Sequence, residues 1–271
     1  MQTITVNGYD MAYLEVGKGP PLVLVHGTLG DYRTWNSVLG PLSKKHRVIS
    51  LSLRRFFPEH WDGVGDDYKL AQHVSDMIAF IERIEPRPVD LMGHSRGGHI
   101  AFRVAEQRPE LLRKLVLAEP GGDLDASLIE PGAPPPPPMP LAVAMPMVLK
   151  SIKGGDIDGA LKTFVDGIDG DGAWTRLPAA AKQQLRDNVF TLLGQAGENR
   201  KPFTRAQAES IRTPTLFIGG GNTTGSLATV HRALAQHFTN SQTVMIDGAK
   251  HWMFDDAPQK FCEAVMGFLA G

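Results

Sequence analysis

The sequence predicts an α/β protein, a mostly parallel, doubly wound sheet that carries a helical cap insertion. Short apolar runs alternate with helix-patterned segments through the first 120 residues, which is the rhythm of a parallel sheet with crossover helices. A Gly- and Pro-rich stretch then leads into helical sequence without a strand, and strand-like sequence resumes only at 214. A chain of 271 residues, 42% apolar and 21% charged, is long enough for a deep core and a pocket, and its composition excludes a wholly disordered, collagen-like or coiled-coil protein.

Taken in order, 22–25, 48–51, 89–92 and 115–118 read as buried strands. Between them, 68–84 spaces its apolar residues at three and four, and 98–107 forms a second helix that ends before Pro109. After Glu119 comes GGDLDASLIEPGAPPPPPMP, whose proline run at 134–138 is restricted to extended polyproline and reads as a stiff strut rather than a partner-binding motif. Helices follow at 141–150, 157–168 and 179–193. Strands at 215–219 and 243–246 bracket a helix at 227–237, and 258–269 closes the chain as a helix. The expected organisation is a core of 1–120 and 206–271 with a helical cap at 121–205, and there is no internal repeat.

Twenty-eight basic and 29 acidic residues give a formal charge of -1, so no field of one sign is available to hold nucleic acid or an anionic membrane. A small-molecule substrate is the expected partner, and the oligomeric state stays open. The single cysteine, Cys262, has no internal disulfide partner and sits in an amphipathic FCEAVMGFLAG context that reads as buried. The N-terminal MQTITVNGYD lacks signal-peptide character, and no run of about 18 apolar residues is present to span a bilayer, so a cytoplasmic location is expected.

Gly93-His94-Ser95-Arg96-Gly97-Gly98 follows the apolar VDLM directly and opens a helix, the context that a nucleophile elbow requires. A serine on so sharp a turn needs flanking glycines where neighbouring chain passes closely, and beside a helix N-terminus its oxygen meets amides that favour an oxyanion. A bland alternative makes Ser95 only the N-cap of that helix. His26-Gly27-Thr28-Leu29-Gly30 after LVLV supplies a loop that can aim one amide at the same point, so the amides of Thr28 and Arg96 are the expected oxyanion donors. His26 is read as structural. A serine hydroxyl needs a base near pKa 7, and His251 in DGAKHW, just past the last strand, suits that role.

These motifs together resemble the α/β-hydrolase-fold serine hydrolases with a cap domain. The resemblance runs through HGTLGD at 26–31, GHSRGG at 93–98, the helical insertion after the sixth strand, and GAKH at 248–251. It implies a triad in the order nucleophile, acid, histidine. The chain departs from the family twice. The loop after the fourth strand is SLRRFFP at 52–58, bulkier and more cationic than usual near the expected pocket mouth, and LFIGGG runs into Asn222-Thr223-Thr224 without the usual acid after the seventh strand.

Glu119, at the end of LVLAE on the catalytic edge, is the preferred acid, a position that certain dehalogenase relatives use. Asn222 as a neutral orienter, and Asp123 or Asp125, remain alternatives, and Glu119 pairing with Arg54 or Arg55 is the competing structural role. Leu29, Phe56, Met145, Met147, Phe164, Trp174 and Trp252 are candidates to line an apolar acyl pocket. No cofactor or metal is implied, because the sequence has no G-x-G-x-x-G after a strand, no Walker loop and no metal-ligand spacing. The expected reaction is hydrolysis of a small, mainly apolar ester or lactone. Carbon-carbon bond hydrolysis, perhydrolysis and a non-enzymatic ligand receptor are the alternatives on this scaffold.

Overall fold

The computed structural model describes residues 1–130, 132, 138 and 140–271. Of the proline run at 134–138, all but Pro138 lies outside the described residues.

The chain opens with a hairpin that the sequence reading did not place: β1 (Gln2–Val6) and β2 (Tyr9–Val16). Asn7 and Gly8 join them with φ of 48° and 72°, the positive pair that a two-residue hairpin turn demands and that Asn-Gly adopts readily. There follow β3 (Pro21–Val25), α1 (Asn36–Leu42), β4 (Arg47–Leu51), α2 (Leu70–Ile81), β5 (Val89–His94), α3 (Arg96–Gln107) and β6 (Leu112–Ala118). Next in the chain are α4 (Pro140–Lys153), α5 (Ile157–Asp169), α6 (Ala173–Arg176), α7 (Ala179–Asp187), α8 (Thr191–Ala196) and α9 (Arg205–Ser210). The last part comprises β7 (Thr215–Gly220), α10 (Gly225–His237), β8 (Ser241–Ile246), α11 (Met253–Asp256) and α12 (Pro258–Ala270).

The eight strands form one sheet in the order β1-β2-β4-β3-β5-β6-β7-β8. It is antiparallel from β1 to β4 and parallel from β4 to β8. The central strands β3 and β5 are buried at every position, as a sheet covered on both faces requires. One face packs Val23, Val25 and Leu91 with Phe80, Phe102 and Leu234, from α2, α3 and α10. The other packs Leu22, Leu24 and Met92 with Leu42, Phe254 and Phe261, from α1, α11 and α12. A third cluster lies within the helices between β6 and β7, where Val148, Leu161, Phe164 and Leu192 surround Leu29 of the loop after β3. Among the described residues no helix is long and apolar enough to cross a membrane.

The predicted helix at 179–193 is two helices, α7 and α8, broken around Asn188. There the side-chain amide turns inward, donating to Asp31 Oδ2 at 2.7 Å and accepting from the Phe57 amide at 2.7 Å. Asp31, wholly buried, also accepts from Arg33 Nη2 at 2.7 Å and Gln184 Nε2 at 3.2 Å, so one carboxylate ties α7 to the loop after β3.

Replacing that carboxylate removes one acceptor each from the Arg33 guanidinium and the Gln184 and Asn188 amides, which keep only Asp187, Thr34 and the Gln184 carbonyl respectively. Asp31→Ala is expected to lower unfolding free energy in urea by about 2–3 kcal/mol, since Arg33 keeps partial solvent access. A loss below about 1 kcal/mol would show that the clamp contributes little to stability.

Candidate active site

Parallel strands in register bring their C-terminal ends to one edge, because Val25 pairs with Gly93, His94 with Ala118, and Ala118 with Ile218. The loops leaving that edge carry Thr28, Ser95, Glu119 and, past β8, His251, at the rim where open α/β sheets bind ligands.

Ser95 stands between β5 and α3 with φ 52° and ψ −116°, and its hydroxyl makes no capping bond to the helix. Its amide donates to the Ala118 carbonyl at 3.0 Å and its carbonyl accepts from the Gly121 amide at 2.9 Å, which holds the strained turn in place. The flanking glycines are sterically required. A Cβ on Gly93 would lie 2.2 Å from the Gly97 carbonyl oxygen, and one on Gly97 would lie 2.2 Å from that of Val25.

Glu119 also has positive φ, 41°. Its Oε2 accepts from His251 Nδ1 at 2.7 Å, and its Oε1 accepts from the Gly220 amide at 2.8 Å. Burial opposes the charge on Glu119, yet the hydrogen bond and charge of His251, joined by the Gly220 amide, outweigh it and hold the carboxyl below the usual carboxylate range. With Nδ1 so engaged, the opposite edge of the imidazole is left for the cavity that His251 lines. His94 Nε2 donates to the His251 carbonyl at 2.9 Å and steadies that loop. The alternatives are placed elsewhere: Asn222 is exposed, Asp125 accepts from the Ser127 amide at 2.9 Å, and Asp123 is exposed on the cavity rim.

Ser95 and His251 line one cavity of about 480 Å³, together with Thr28, Arg96 and Gly121. Among the described residues the amides of Thr28 and Arg96 donate to no protein acceptor. A Cβ on Gly121 would stand 3.4 Å from Ser95 Oγ and 3.6 Å from the Arg96 nitrogen, so glycine keeps this corner open. Met145, Leu149, Phe164, Leu227 and Trp252 supply an apolar wall.

Other expected residues need correction. Leu29, fully buried at φ 61°, and Trp252 border a side pocket of about 140 Å³ rather than Leu29 lining the main cavity. Phe56 is a core residue, its ring 4.6 Å from that of His26. Trp174 belongs to the helical cluster, with the ammonium of Lys182 5.2 Å from its ring centre, and Met147 is 62% exposed. The loop at 52–58 is not a cationic mouth: Arg54 binds Asp76 at 2.8 Å and 3.0 Å, and Arg55 binds Asp67 and Glu59. The Arg54–Asp76 pair draws the loop onto α2, Arg55 is held within the segment before that helix, and neither arginine is left for Glu119.

His26 is held as a neutral ring, accepting from the Leu53 amide at Nε2 and directing Nδ1 to the Gly27 carbonyl; burial pushes its pKa down to about 4. Sequence reasoning missed the side chain of Arg96, which forms a two-pronged pair with Glu198 at 2.6 Å and 2.5 Å and meets His73 Nδ1 at 3.0 Å. It also missed His231, buried near Glu119 with both ring nitrogens unpartnered among the described residues, as well as Gln195 and Arg200. No three His, Cys, Asp or Glu side chains converge as metal ligands would among the described residues.

The sequence profile described as the alpha/beta hydrolase family matches residues 22–264. The mouse sn-1-specific diacylglycerol lipase ABHD11 is 27% identical over 93% of this chain and 81% of its own length. The crystal structure of the esterase RhEst1 from Rhodococcus sp. ECU1013 superposes with a TM-score of 0.79 at 22% identity, over 100% of this chain and 98% of that one. The enol-lactonase from Burkholderia xenovorans LB400 gives a TM-score of 0.79 at 19% identity, over 99% of this chain and 100% of that one. At these identities the structural likenesses establish the fold.

Six of the nine histidines, His26, His46, His73, His94, His99 and His231, have pKa values lowered chiefly by burial. The folded state refuses protons that the unfolded chain accepts, so their contribution is complete above about pH 6.5 and is lost as pH falls toward the folded values. Glu119, also lowered, keeps its contribution until pH falls below its unfolded value. Urea unfolding compared from pH 7 to pH 5 should show uptake of at least about three protons near pH 5.5, chiefly by His26, His73, His94 and His99. An uptake of two or fewer would mean that these rings are already protonated in the fold.

Proposed function

Since the chain belongs to the alpha/beta hydrolase family, we propose that it is a serine hydrolase that opens a small carboxylic ester or lactone through an acyl-enzyme. The observation that carries this reading is the 2.7 Å bond from His251 Nδ1 to Glu119 Oε2, at the wall of a cavity that Ser95 shares with His251. We assign 121–205 as a cap over that cavity, to which Met145, Leu149 and Phe164 contribute.

Ser95 Oγ attacks the carbonyl carbon while His251 Nε2 takes its proton. The imidazolium so formed is stabilised by Glu119, whose charge is already held in place by the Gly220 amide. Negative charge on the carbonyl oxygen falls to the amides of Thr28 and Arg96, which have no competing protein acceptor. His251 returns its proton to the leaving oxygen, then activates a water molecule that releases the acid from Ser95. The chemistry requires no cofactor, and the serine at the elbow sets it apart from hydrolases of this fold that attack with aspartate. The mainly apolar wall suits a hydrocarbon acyl or ring portion.

Short p-nitrophenyl acyl esters are expected to give a burst of p-nitrophenol, and a fluorophosphonate should label Ser95. Glu119→Gln should lower kcat by about 10²–10⁴-fold and Ser95→Ala by at least about 10⁴-fold. Asn222→Ala, at an exposed site, should stay within about twofold. Full activity in Glu119→Gln with collapse in Asn222→Ala would reverse the assignment of the acid. Tight ligand binding with no turnover would point to a receptor.

A further inference from the structure

Arg200 lines the cavity that holds Ser95 and His251, and among the described residues it alone also lines a second cavity of about 730 Å³. It therefore stands in the partition between the two. It is partly buried, and among the described residues its guanidinium makes neither a hydrogen bond nor an ion pair. Its arginine neighbours both have acid partners, although Arg96 Nε is itself left without one among the described residues. Arg96 holds Glu198 with both prongs, and Arg103 reaches Glu106 and the carbonyls of Lys201 and Pro202. Glu198 is thus spoken for, while Asp123, exposed at the rim, attracts Arg200 through space without bonding to it.

We propose that Arg200 is the specificity-determining residue of this site, and that the substrate carries a carboxylate that its guanidinium binds while the ester or lactone carbonyl lies at Ser95. The proposal rests on the hydrolase reading above and narrows its substrate class. Arginine presents a planar fork of donors matched to a carboxylate, and leaving that fork unpaired away from water is costly. Burial is the main influence holding this guanidinium below the usual arginine range, and the charge of Arg96 adds to it; a bound anion opposes both. The second cavity strengthens the same conclusion. Lys69 and Lys201, both exposed, add positive charge to its wall, while its carboxylates Glu106 and Glu198 already face arginines. The apolar wall of Met145, Leu149, Phe164 and Leu227 suits the hydrocarbon between the two polar ends.

The test compares two p-nitrophenyl esters of matched chain length, one ending in a methyl group and one in a carboxylate, in the wild type, Arg200→Gln and Arg200→Lys. Wild type should favour the carboxylate ester. Arg200→Gln should lose about 30–300-fold in kcat/KM on it and less than about threefold on the neutral ester. Arg200→Lys, which keeps the charge but not the fork, should recover part of the preference. Equal losses on both esters, or none on either, would overturn the proposal and leave Arg200 a structural residue. A second arm separates this failure from failure of the hydrolase reading. In Ser95→Ala protein, calorimetry should show monomethyl adipate binding at least about tenfold tighter than dimethyl adipate, with the difference gone when Arg200→Gln is added. If neither nitrophenyl ester is hydrolysed by the wild type, the hydrolase reading falls, and this arm alone then decides for or against an Arg200 carboxylate site.

Discussion

The arrangement of the candidate active-site edge depends on one buried hydrogen bond, from the imidazole of His251 to the carboxylate of Glu119. A carboxylate exposed by only 1% is tolerable only where its oxygens are matched, and here one meets the imidazole and the other the Gly220 amide. The matching explains why the end of β7 is so bare. A Cβ on Gly219 would stand 3.1 Å from Glu119 Oε1, and one on Gly220 would collide with the Lys250 carbonyl at 2.3 Å. The missing acid after β7 and the glycine run in its place are therefore two sides of one arrangement. The carboxylate arrives from β6, and β7 gives up its side chains to make room and contributes an amide in exchange.

Backbone strain is concentrated on the same edge. Among the described residues five non-glycine residues have positive φ, and three of them, Leu29, Ser95 and Glu119, directly follow or lie close behind the ends of adjacent parallel strands β3, β5 and β6. Such conformations cost of order 1–3 kcal/mol each and persist where the surroundings overdetermine them. Ser95 is fixed by backbone bonds to Ala118 and Gly121, and Glu119 by bonds from its amide to Ile218 and from Gly220 to its side chain. Ser95 and Glu119 are thus held by the neighbouring strand ends, so an intact β5-β6-β7 register is a precondition for the positions of these two groups.

Much of this was legible in the sequence, for identifiable reasons. The elbow announces itself because Gly93, Ser95 and Gly97 obey a steric rule, and β3, β5 and β6 because a sheet covered on both faces reads as unbroken apolar runs. Glu119 was placed on this edge by its position just after a strand. The Asn7-Gly8 turn carried its usual signal, but the strands it joins are half exposed and lack such runs. Phe56 and Trp174 were misplaced because an aromatic has the same appearance in sequence whether it faces a cavity or a core. Arg54, Arg55, Arg96 and Arg200 are alike in sequence as well. Only three-dimensional partners reveal that Asp76, Asp67 and Glu198 occupy three of them and leave the fourth free among the described residues.

Arg96 links these levels. Arg96 lines the cavity at the residue after Ser95, and its guanidinium lies over the ring of Tyr68 at 4.8 Å and pairs with Glu198 just beyond α8. An ion pair exposed by 1% and 2% is not softened by solvent, so a displacement of the segment that carries Glu198 would be felt at Arg96. Arg96 also opens α3, whose first turn is packed so tightly that Gly97 and Gly98 accept no side chain, so it has little freedom to yield. The same residue thus couples the position of the helices over the cavity to the amide that receives charge in the proposed reaction. Arg200, two residues beyond Glu198, is placed by that anchor at the cavity wall.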